Sequence, residues 1–234
     1  MRGGFEALCF DLDNTLVDRN RAWQAFLEGW LRDRFPHTPA TWRKRTLAEL
    51  VALDRHGWAP SEDVDAHLVK ALGLDDREVN RLRIQWRGAI PRLFTPDPAV
   101  TATLAAMAPQ LPMALVSNGS GENQRRKLAA AGLIPFFPPE FIFISGERRC
   151  AKPGPGLFQA ALAALGTPAA ATLFIGDDPV RDILGAHAVG MATCWISNGR
   201  ADVSLPQSPD MIISSIPDLE GFVHARHEPH TCHA

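Results

Sequence analysis

The sequence has no long hydrophobic run, no strong excess of charge of either sign and no closely spaced cysteines. No stretch approaches the roughly 18 apolar residues that a membrane-spanning helix needs. The formal net charge is −2 and the pI is about 6.4. A charge this balanced gives no reason to expect a nucleic acid or a membrane as a partner. We therefore expect neither as a partner.

The few cysteines indicate a reducing compartment. The chain has four, Cys9, Cys150, Cys194 and Cys232, which are far apart and form no CxxC pair. We interpret them as reduced thiols. The apolar stretch near the N-terminus runs directly into Asp11, so we expect no signal peptide. Both observations favour a cytoplasmic location.

What the sequence does contain is a short apolar run that ends in two acids. Residues 7–10 are followed by Asp11 and Asp13, a pattern typical of a buried strand in a parallel sheet. Open α/β sheets bind ligands just past the carboxyl ends of their strands. Because burying unpaired carboxylates is costly, we expect the acids to hold a cation or to face a polar cleft. The alternative is that Asp13 and Asn14 only form a turn.

The segment after this strand differs from the rest of the chain. Residues 18–92 hold 14 basic and 11 acidic residues, together with five of the six tryptophans. Apolar residues at helical spacing predict four consecutive helices, at 20–34, 40–55, 61–73 and from 75 to 86 or 90. Four helices without an intervening strand indicate a small helical bundle.

From residue 96 onward, short apolar runs alternate with helical patterns. Further strands are predicted at 113–116, 141–144, 172–175, 191–196 and 211–213. Helices are predicted between them, including one at 180–189, and a last helix follows at 217–225. This alternation implies βαβ units and a parallel sheet covered on both faces, so the fold class is α/β. We expect this domain to comprise 1–17 and 94–234, and the inserted helical domain to comprise 18–93.

Polar side chains end three of the predicted strands, and parallel strands place those ends at one edge of the sheet. They are Asp11 and Asp13, Ser117 and Asn118, and Asp177 and Asp178. Lys152 adds an ammonium group just before a helix. Carboxylate oxygens suit Mg²⁺, whereas hydroxyl, amide and ammonium groups suit a phosphate. Such a site is a setting for phosphoryl transfer through an aspartyl-phosphate.

These motifs resemble those of the haloacid dehalogenase superfamily. In chain order they are Asp11-x-Asp13-x-Thr15, Ser117-Asn118, Lys152-Pro153 and Gly176-Asp177-Asp178-x-x-x-Asp182. The resemblance extends over residues 5–223, and the helical insertion resembles the α-helical cap of that family. It implies a Rossmann-like core with helices on both faces and a cap that closes over the substrate.

The resemblance also implies roles for the acids and the lysine. Asp11 would be the nucleophile, and Asp13 would be the general acid and then the base that activates water. Lys152 would neutralise charge on Asp11 and on the phosphoryl group. Asp177 would bind Mg²⁺ together with the Asp11 carboxylate and the backbone carbonyl of Asp13. Asp178 would either bind a metal-coordinated water or pair with Lys152.

Asp182, like Asp178, would either bind a metal-coordinated water or pair with Lys152. For the remaining motif residues, the resemblance implies contacts to the loop and to the phosphate. Thr15 would steady the loop between Asp11 and Asp13. Ser117 and the backbone around Asn118 and Gly119 would hold the phosphoryl oxygens.

Asp13 separates the reaction classes of the family. The dehalogenases that named it lack an acid two residues after the nucleophile, and a phosphate-ester leaving group needs a proton whereas a halide does not. The resemblance therefore favours a Mg²⁺-dependent phosphatase acting on a small-molecule phosphate monoester. A phosphomutase, a haloacid dehalogenase and a non-catalytic phosphate-binding protein are the alternatives. Neither the substrate nor the oligomeric state follows from the sequence.

The C-terminal tail contains metal-ligand residue types, namely His224, His227, His230, Cys232 and His233. Their spacing matches no closed zinc pattern, so we expect a mobile tail.

Overall fold

A computed structural model of the chain describes residues 4–59, 61–200, 203–219 and 221. It contains two compact units, one formed by the chain up to Val17 and from Pro96 onward, the other by Asp18–Thr95. The histidine-rich tail, with the expectation attached to it, lies outside the described residues. No helix within the described ranges is long and apolar enough to cross a membrane.

The first unit is built on a six-stranded parallel sheet. Its strands are β1 (Ala7–Phe10), β2 (Met113–Ser117), β3 (Ile142–Ile144), β4 (Thr172–Gly176), β5 (Ala192–Ile196) and β6 (Met211–Ile213). Their spatial order is β3-β2-β1-β4-β5-β6, the order of Rossmann-type sheets. Phe10 of β1 pairs with Leu115 on one side and with Ile175 on the other. The carboxyl ends of these three strands therefore meet at one edge, where the strand order reverses.

Helices cover both faces of this sheet. They are α5 (Pro98–Met107), α6 (Gly121–Ala130), α7 (Ser145–Arg148), α8 (Gly156–Leu165) and α9 (Gly185–Ala188). Every residue of β1, β2, β4 and β5 is buried, as strands packed on both sides require. Phe158 of α8, for example, packs edge-on against Phe174 of β4. The predicted α/β, Rossmann-like fold is confirmed.

The second unit is a bundle of α1 (Arg19–Arg34), α2 (Ala40–Asp54), α3 (Ser61–Leu72) and α4 (Asp76–Leu93). Its core is mainly leucine and consists of Leu27, Leu31, Leu50, Leu68, Leu74, Val79 and Leu82. Trp23 stacks on Phe26, and Trp86 meets both rings edge-on. Each helix forms close to its predicted position, although α4 continues through Pro91 to Leu93.

The segment after β4 differs from the regular helix predicted at 180–189. It starts as a π-helix, Pro179–Leu184, and becomes α-helical only at Gly185. π-Helical turns are frequent at functional sites. At the other end of the unit, a short 3₁₀ turn, Ile216–Leu219, lies where the last helix was predicted to begin.

Candidate active site

Asp11 stands at the point where β1 ends. Its backbone N–H donates to the carbonyl of Ile175 in β4 at 2.9 Å, and its side chain is buried. The chain then turns sharply, with Asn14 in the left-handed region at φ 58°. Thr15 Oγ1 lies 3.5 Å from Asp11 Oδ2. The turn considered from the sequence is therefore present, and it also places Thr15 beside the Asp11 carboxylate.

Lys152 is the cation next to this carboxylate. Its Nζ lies 2.7 Å from Asp11 Oδ1 and 2.6 Å from Asp182 Oδ1. The Asn118 amide binds the Lys152 backbone twice, donating to its carbonyl and accepting from its N–H, both at 2.9 Å. Burial lowers the pKa of Lys152, but the two carboxylates outweigh burial and bring the pKa above its ordinary value. The side chain therefore stays charged.

Asp182 reaches Lys152 because of the π-helical turn and of Gly176. The backbone N–H of Asp178 donates to Asp182 Oδ2 at 3.0 Å. A Cβ on Gly176 would lie 2.4 Å from that same oxygen, so only glycine leaves room for this carboxylate. Of the two acids for which pairing with Lys152 was considered, Asp182 makes the contact.

Asp178 has a different partner set. Its Oδ1 accepts from the N–H groups of Val180 and Arg181, at 2.8 and 2.9 Å, which caps the π-helical turn. Its Oδ2 lies 3.3 Å from the Arg181 guanidinium. Pairing of Asp178 with Lys152 was therefore the wrong alternative, because the carboxylate turns toward the start of its own helix.

Three buried acids form a cluster that fits a cation. Asp11, Asp177 and Asp182 place oxygen atoms within 4.8 Å of one another. Burial, with the neighbouring carboxylates adding to it, raises the pKa of Asp177 well above its ordinary value. Burial likewise raises the pKa of Asp11, and that of Asp182 to about 7, against the opposing effect of Lys152. A divalent cation would supply the positive charge that these oxygens lack.

The acid cluster differs in one member from the metal set implied by the resemblance. That set was Asp11, Asp13 and Asp177, with Asp13 contributing its backbone carbonyl rather than its carboxylate. The structure puts Asp182 beside Asp11 and Asp177. The part of Asp13 in metal binding stays a prediction.

Arg200 contacts Asp177 and had not been singled out from the sequence. Its guanidinium nitrogens lie 3.3 Å from Asp177 Oδ2, and Trp195 Nε1 donates to the Asp177 carbonyl at 2.9 Å. Trp195 lies in β5, the strand next to β4, and Arg200 lies shortly after that strand. Nothing in the local pattern around Arg200 marks it, because its partner is more than twenty residues earlier in the chain.

Ser117 lies at the carboxyl end of β2. Its Oγ accepts from Gln124 Nε2 at 2.8 Å and donates to the carbonyl of Asn118 at 3.5 Å. The N–H of Gly119 donates to Ser145 Oγ at 2.9 Å. The contacts of Ser117, Asn118 and Gly119 with a phosphoryl group stay predictions. For Gly119, the N–H would have to give up its hydrogen bond to Ser145 Oγ and donate to the phosphoryl group instead.

The Asp13 carboxylate points toward α6. Lys127 Nζ lies 2.7 Å from each of its oxygens, and Gln124 Nε2 lies 3.1 Å from Oδ2. Sequence reasoning missed both residues. A signal was nevertheless present, since Gln124, Lys127 and Leu128 share one face of a helix, and a lysine on an apolar helix face is unusual.

The comparison with known proteins defines the family. The family model for haloacid dehalogenase-like hydrolases matches residues 5–190, which is most of the chain. The chain belongs to this family.

Two curated relatives and one solved structure illustrate the likeness. Phosphoserine phosphatase of Thermus thermophilus is 35% identical over 109 residues, which are 47% of this chain and 43% of that protein; the chain thus matches less than half of its length. N-acylneuraminate-9-phosphatase of Mus musculus is 29% identical over 93% of each chain. The putative HAD-hydrolase YfnB of Bacillus subtilis, solved bound to magnesium, is 22% identical with a TM-score of 0.76, covering 94% of this chain and 99% of that one.

Proposed function

We propose that this hydrolase is a Mg²⁺-dependent phosphatase that cleaves a small-molecule phosphate monoester through an aspartyl-phosphate on Asp11. The observation that carries the proposal is the pair of acids on one loop, each with its own cation. Asp11 is buried against Lys152, and Asp13, two residues later, is bound by Lys127. One carboxylate can act as a nucleophile while the other moves a proton. The two relatives described above, both named as phosphatases, support this reaction class.

In the first half of the proposed reaction, an Asp11 oxygen bonds to phosphorus as the bond to the leaving oxygen breaks. Lys152 stabilises the negative charge on the phosphoryl group, since its Nζ already contacts Asp11. Asp13 donates its proton to the leaving oxygen, so that an alcohol rather than an alkoxide departs.

In the second half, water attacks the phosphorus of the aspartyl-phosphate. Asp13 accepts a proton from that water as the bond between Asp11 and phosphorus breaks. Inorganic phosphate leaves, and Asp13 is again protonated for the next turnover. The loop therefore uses the same carboxyl group as acid and then as base.

For the cation, we propose Mg²⁺ held by the carboxylates of Asp11 and Asp177 and by the backbone carbonyl of Asp13. When bound, it would neutralise charge on the phosphoryl oxygens. The raised pKa of Asp177, caused mainly by burial, supports the assignment, because a buried carboxylate is most easily kept ionised by a cation. The magnesium bound to the structurally similar YfnB supports the choice of ion.

The decisive variant is Asp11→Asn. We expect phosphate release from p-nitrophenyl phosphate with Mg²⁺ to fall by about 1,000-fold or more, because an amide cannot replace the nucleophile. Asp63→Asn, an exposed position on α3, is the matched control and should keep its activity. An undiminished rate in Asp11→Asn contradicts the mechanism.

The same protein preparations separate the alternative reactions. Halide release from 2-chloropropionate without Mg²⁺ would indicate a dehalogenase, and isomerisation of a sugar phosphate would indicate a mutase. Inactivity of the wild type across phosphate esters would favour a binding protein. A screen of sugar phosphates, nucleotides, phosphoglycolate, pyridoxal phosphate and flavin mononucleotide then identifies the substrate class.

A further inference from the structure

We propose that Lys127 and Gln124 are positioning residues that orient the Asp13 carboxylate for proton transfer in both half-reactions. The inference rests on the proposed function and adds two residues of α6 to it. Neither residue belongs to the motifs that identify the family in this chain.

Helix α6 binds the Asp13 carboxylate at both of its oxygens. Lys127 Nζ lies 2.7 Å from Oδ1 and 2.7 Å from Oδ2, and Gln124 Nε2 lies 3.1 Å from Oδ2. Residues three apart on a helix emerge on the same face. The two side chains therefore approach the carboxylate together and restrict its rotation.

Gln124 also connects Asp13 to the predicted phosphate-binding loop. The same Nε2 donates to Ser117 Oγ at 2.8 Å and lies 3.1 Å from the carbonyl oxygen of Asn118. Gly119 packs against this amide, since a Cβ there would lie 3.1 Å from Gln124 Cδ. One amide group thus sets the separation between the Asp13 carboxylate and the Ser117 hydroxyl.

The burial of Lys127 indicates that the contact is more than a surface ion pair. The residue is 5% exposed, and its side chain is far less accessible than that of Asp13, at 7% against 25%. Burying an ammonium group is costly, and a helix face that needed only apolar contact would carry leucine or methionine there. The cation is thus fixed inside the unit, while the acid it holds keeps access to solvent.

This arrangement suits a group that alternates between acid and base. Asp13 gives its proton to the leaving oxygen as the bond between phosphorus and that oxygen breaks, and it regains a proton from the attacking water. Lys127 Nζ donates to both oxygens of the ionised carboxylate and can still donate to the unprotonated oxygen when the other carries the proton, so the group is held in both states. A carboxyl group held within hydrogen-bond reach is what general acid–base catalysis requires.

The test compares two esters that differ in how much the leaving group needs a proton. Lys127→Met keeps the length of the side chain and removes its ammonium group, and Lys70→Met, exposed on α3, is the matched control. For an alkyl phosphate we expect kcat/KM of Lys127→Met to fall by about 100-fold. For p-nitrophenyl phosphate, whose leaving group departs without a proton, we expect a loss of less than about 3-fold in kcat/KM.

A second readout follows the step that regenerates Asp11. Water activation also needs an oriented Asp13, so Lys127→Met should accumulate the Asp11 phosphoenzyme during turnover of p-nitrophenyl phosphate. The phosphoryl group is detected by its mass on acid-quenched intact protein. In an Asp13→Asn background, Lys127→Met should not change the ratio of the two kcat/KM values further, because the group it positions is gone.

The outcomes separate this inference from the proposed function. An equal loss of kcat/KM for both esters in Lys127→Met, without phosphoenzyme, assigns the residue a structural role only and overturns the inference. If Lys127→Met does not fold, Gln124→Met takes its place; its contact to Ser117 is lost for both esters, and we expect a further loss of about 10-fold for the alkyl ester alone. A wild type that releases phosphate from neither ester overturns the proposed function itself.

Discussion

At the level of single residues, Gly176 has no room for a side chain beside the acid cluster. A Cβ at this position would lie 2.4 Å from Oδ2 and 2.6 Å from Cβ of Asp182. Gly176→Ala must therefore displace Asp182 and weaken its contact with Lys152. We expect kcat to fall by more than about 10-fold and stability by about 1–3 kcal/mol, as overpacking of a well-filled interior does. Steady-state kinetics and urea unfolding measure the two effects.

Gly88→Ala is the matched control for this substitution. Gly88 lies exposed within α4, and a Cβ there meets nothing within 4 Å. Alanine is the better helix former, so this variant should gain about 0.5–1 kcal/mol of stability and keep its activity. Equal behaviour of the two variants would show that the close approach of Asp182 to Gly176 is not needed.

Local patterns indicate most readily the residues of the candidate site that end strands, and the family resemblance adds Thr15, Lys152 and Asp182. Asp11, Ser117 and Asp177 are recognisable because an apolar run stops at a polar side chain, and the parallel sheet brings those stops together. Lys127 and Arg200 do not lie at the end of an apolar run, so this pattern does not identify them. Their partners are distant in the chain, and a local pattern holds no information about which distant carboxylate a cation will meet.

At the scale of secondary-structure elements, one ion pair joins the start of α1 to the end of α2. Arg19 binds both oxygens of Asp54, with Nη2 to Oδ1 at 2.8 Å, and Asp54 Oδ2 also accepts from the N–H of Gly57 at 2.8 Å. Asp54→Ala removes the helix-end contact and leaves Arg19, which is mostly buried, without this partner. We expect a loss of about 2–3 kcal/mol in the free energy of unfolding, measured with urea.

The exposed pair of Arg45 and Glu49 on α2 provides the comparison. Its closest atoms are 3.7 Å apart and both side chains are largely exposed. Glu49→Ala should change stability by no more than about 0.5 kcal/mol, because solvent screens such pairs. A loss in Asp54→Ala as small as that in Glu49→Ala would show that the buried pair does not hold the two helices together.

Helices and strands follow from the sequence where their own periodicity determines them. The alternation of apolar runs with helical patterns predicts the sheet, and four helical patterns in succession predict the bundle, because local spacing shows which faces of each element are buried. The π-helical turn at Pro179–Leu184 could not be predicted in this way. It occurs together with the contacts of Asp182 to the N–H of Asp178 and to Lys152, and the latter contact spans thirty residues. Likewise α4 passes Pro91, because a proline in the last turn removes only one helical hydrogen bond.

At the scale of the whole molecule, the buried acid cluster makes stability depend on pH, and a cation bound there would oppose that dependence. Burial raises the pKa of Asp182 to about 7 and that of Asp177 well above its ordinary value. A carboxyl group with a raised pKa keeps in the folded protein a proton that the unfolded chain releases near pH 4. The folded state is therefore favoured on the acid side of this window, and stability falls as the pH rises from about 4 to about 7.

This linkage predicts how melting temperature depends on pH and Mg²⁺ together. In EDTA, we expect a melting temperature lower at pH 8 than at pH 5.5 by roughly 5 °C or more. Added Mg²⁺ should restore most of the loss at pH 8 and have less effect at pH 5.5, because protonated carboxyl groups bind a cation poorly. Asp182→Asn removes one of the titrating groups and should reduce the pH difference in EDTA. Two outcomes would contradict this prediction: a melting temperature in EDTA that rises between pH 5.5 and 8, or equal stabilisation by Mg²⁺ at both pH values. Either would show that Lys152 already balances the charge of the three acids and that they do not form a cation site.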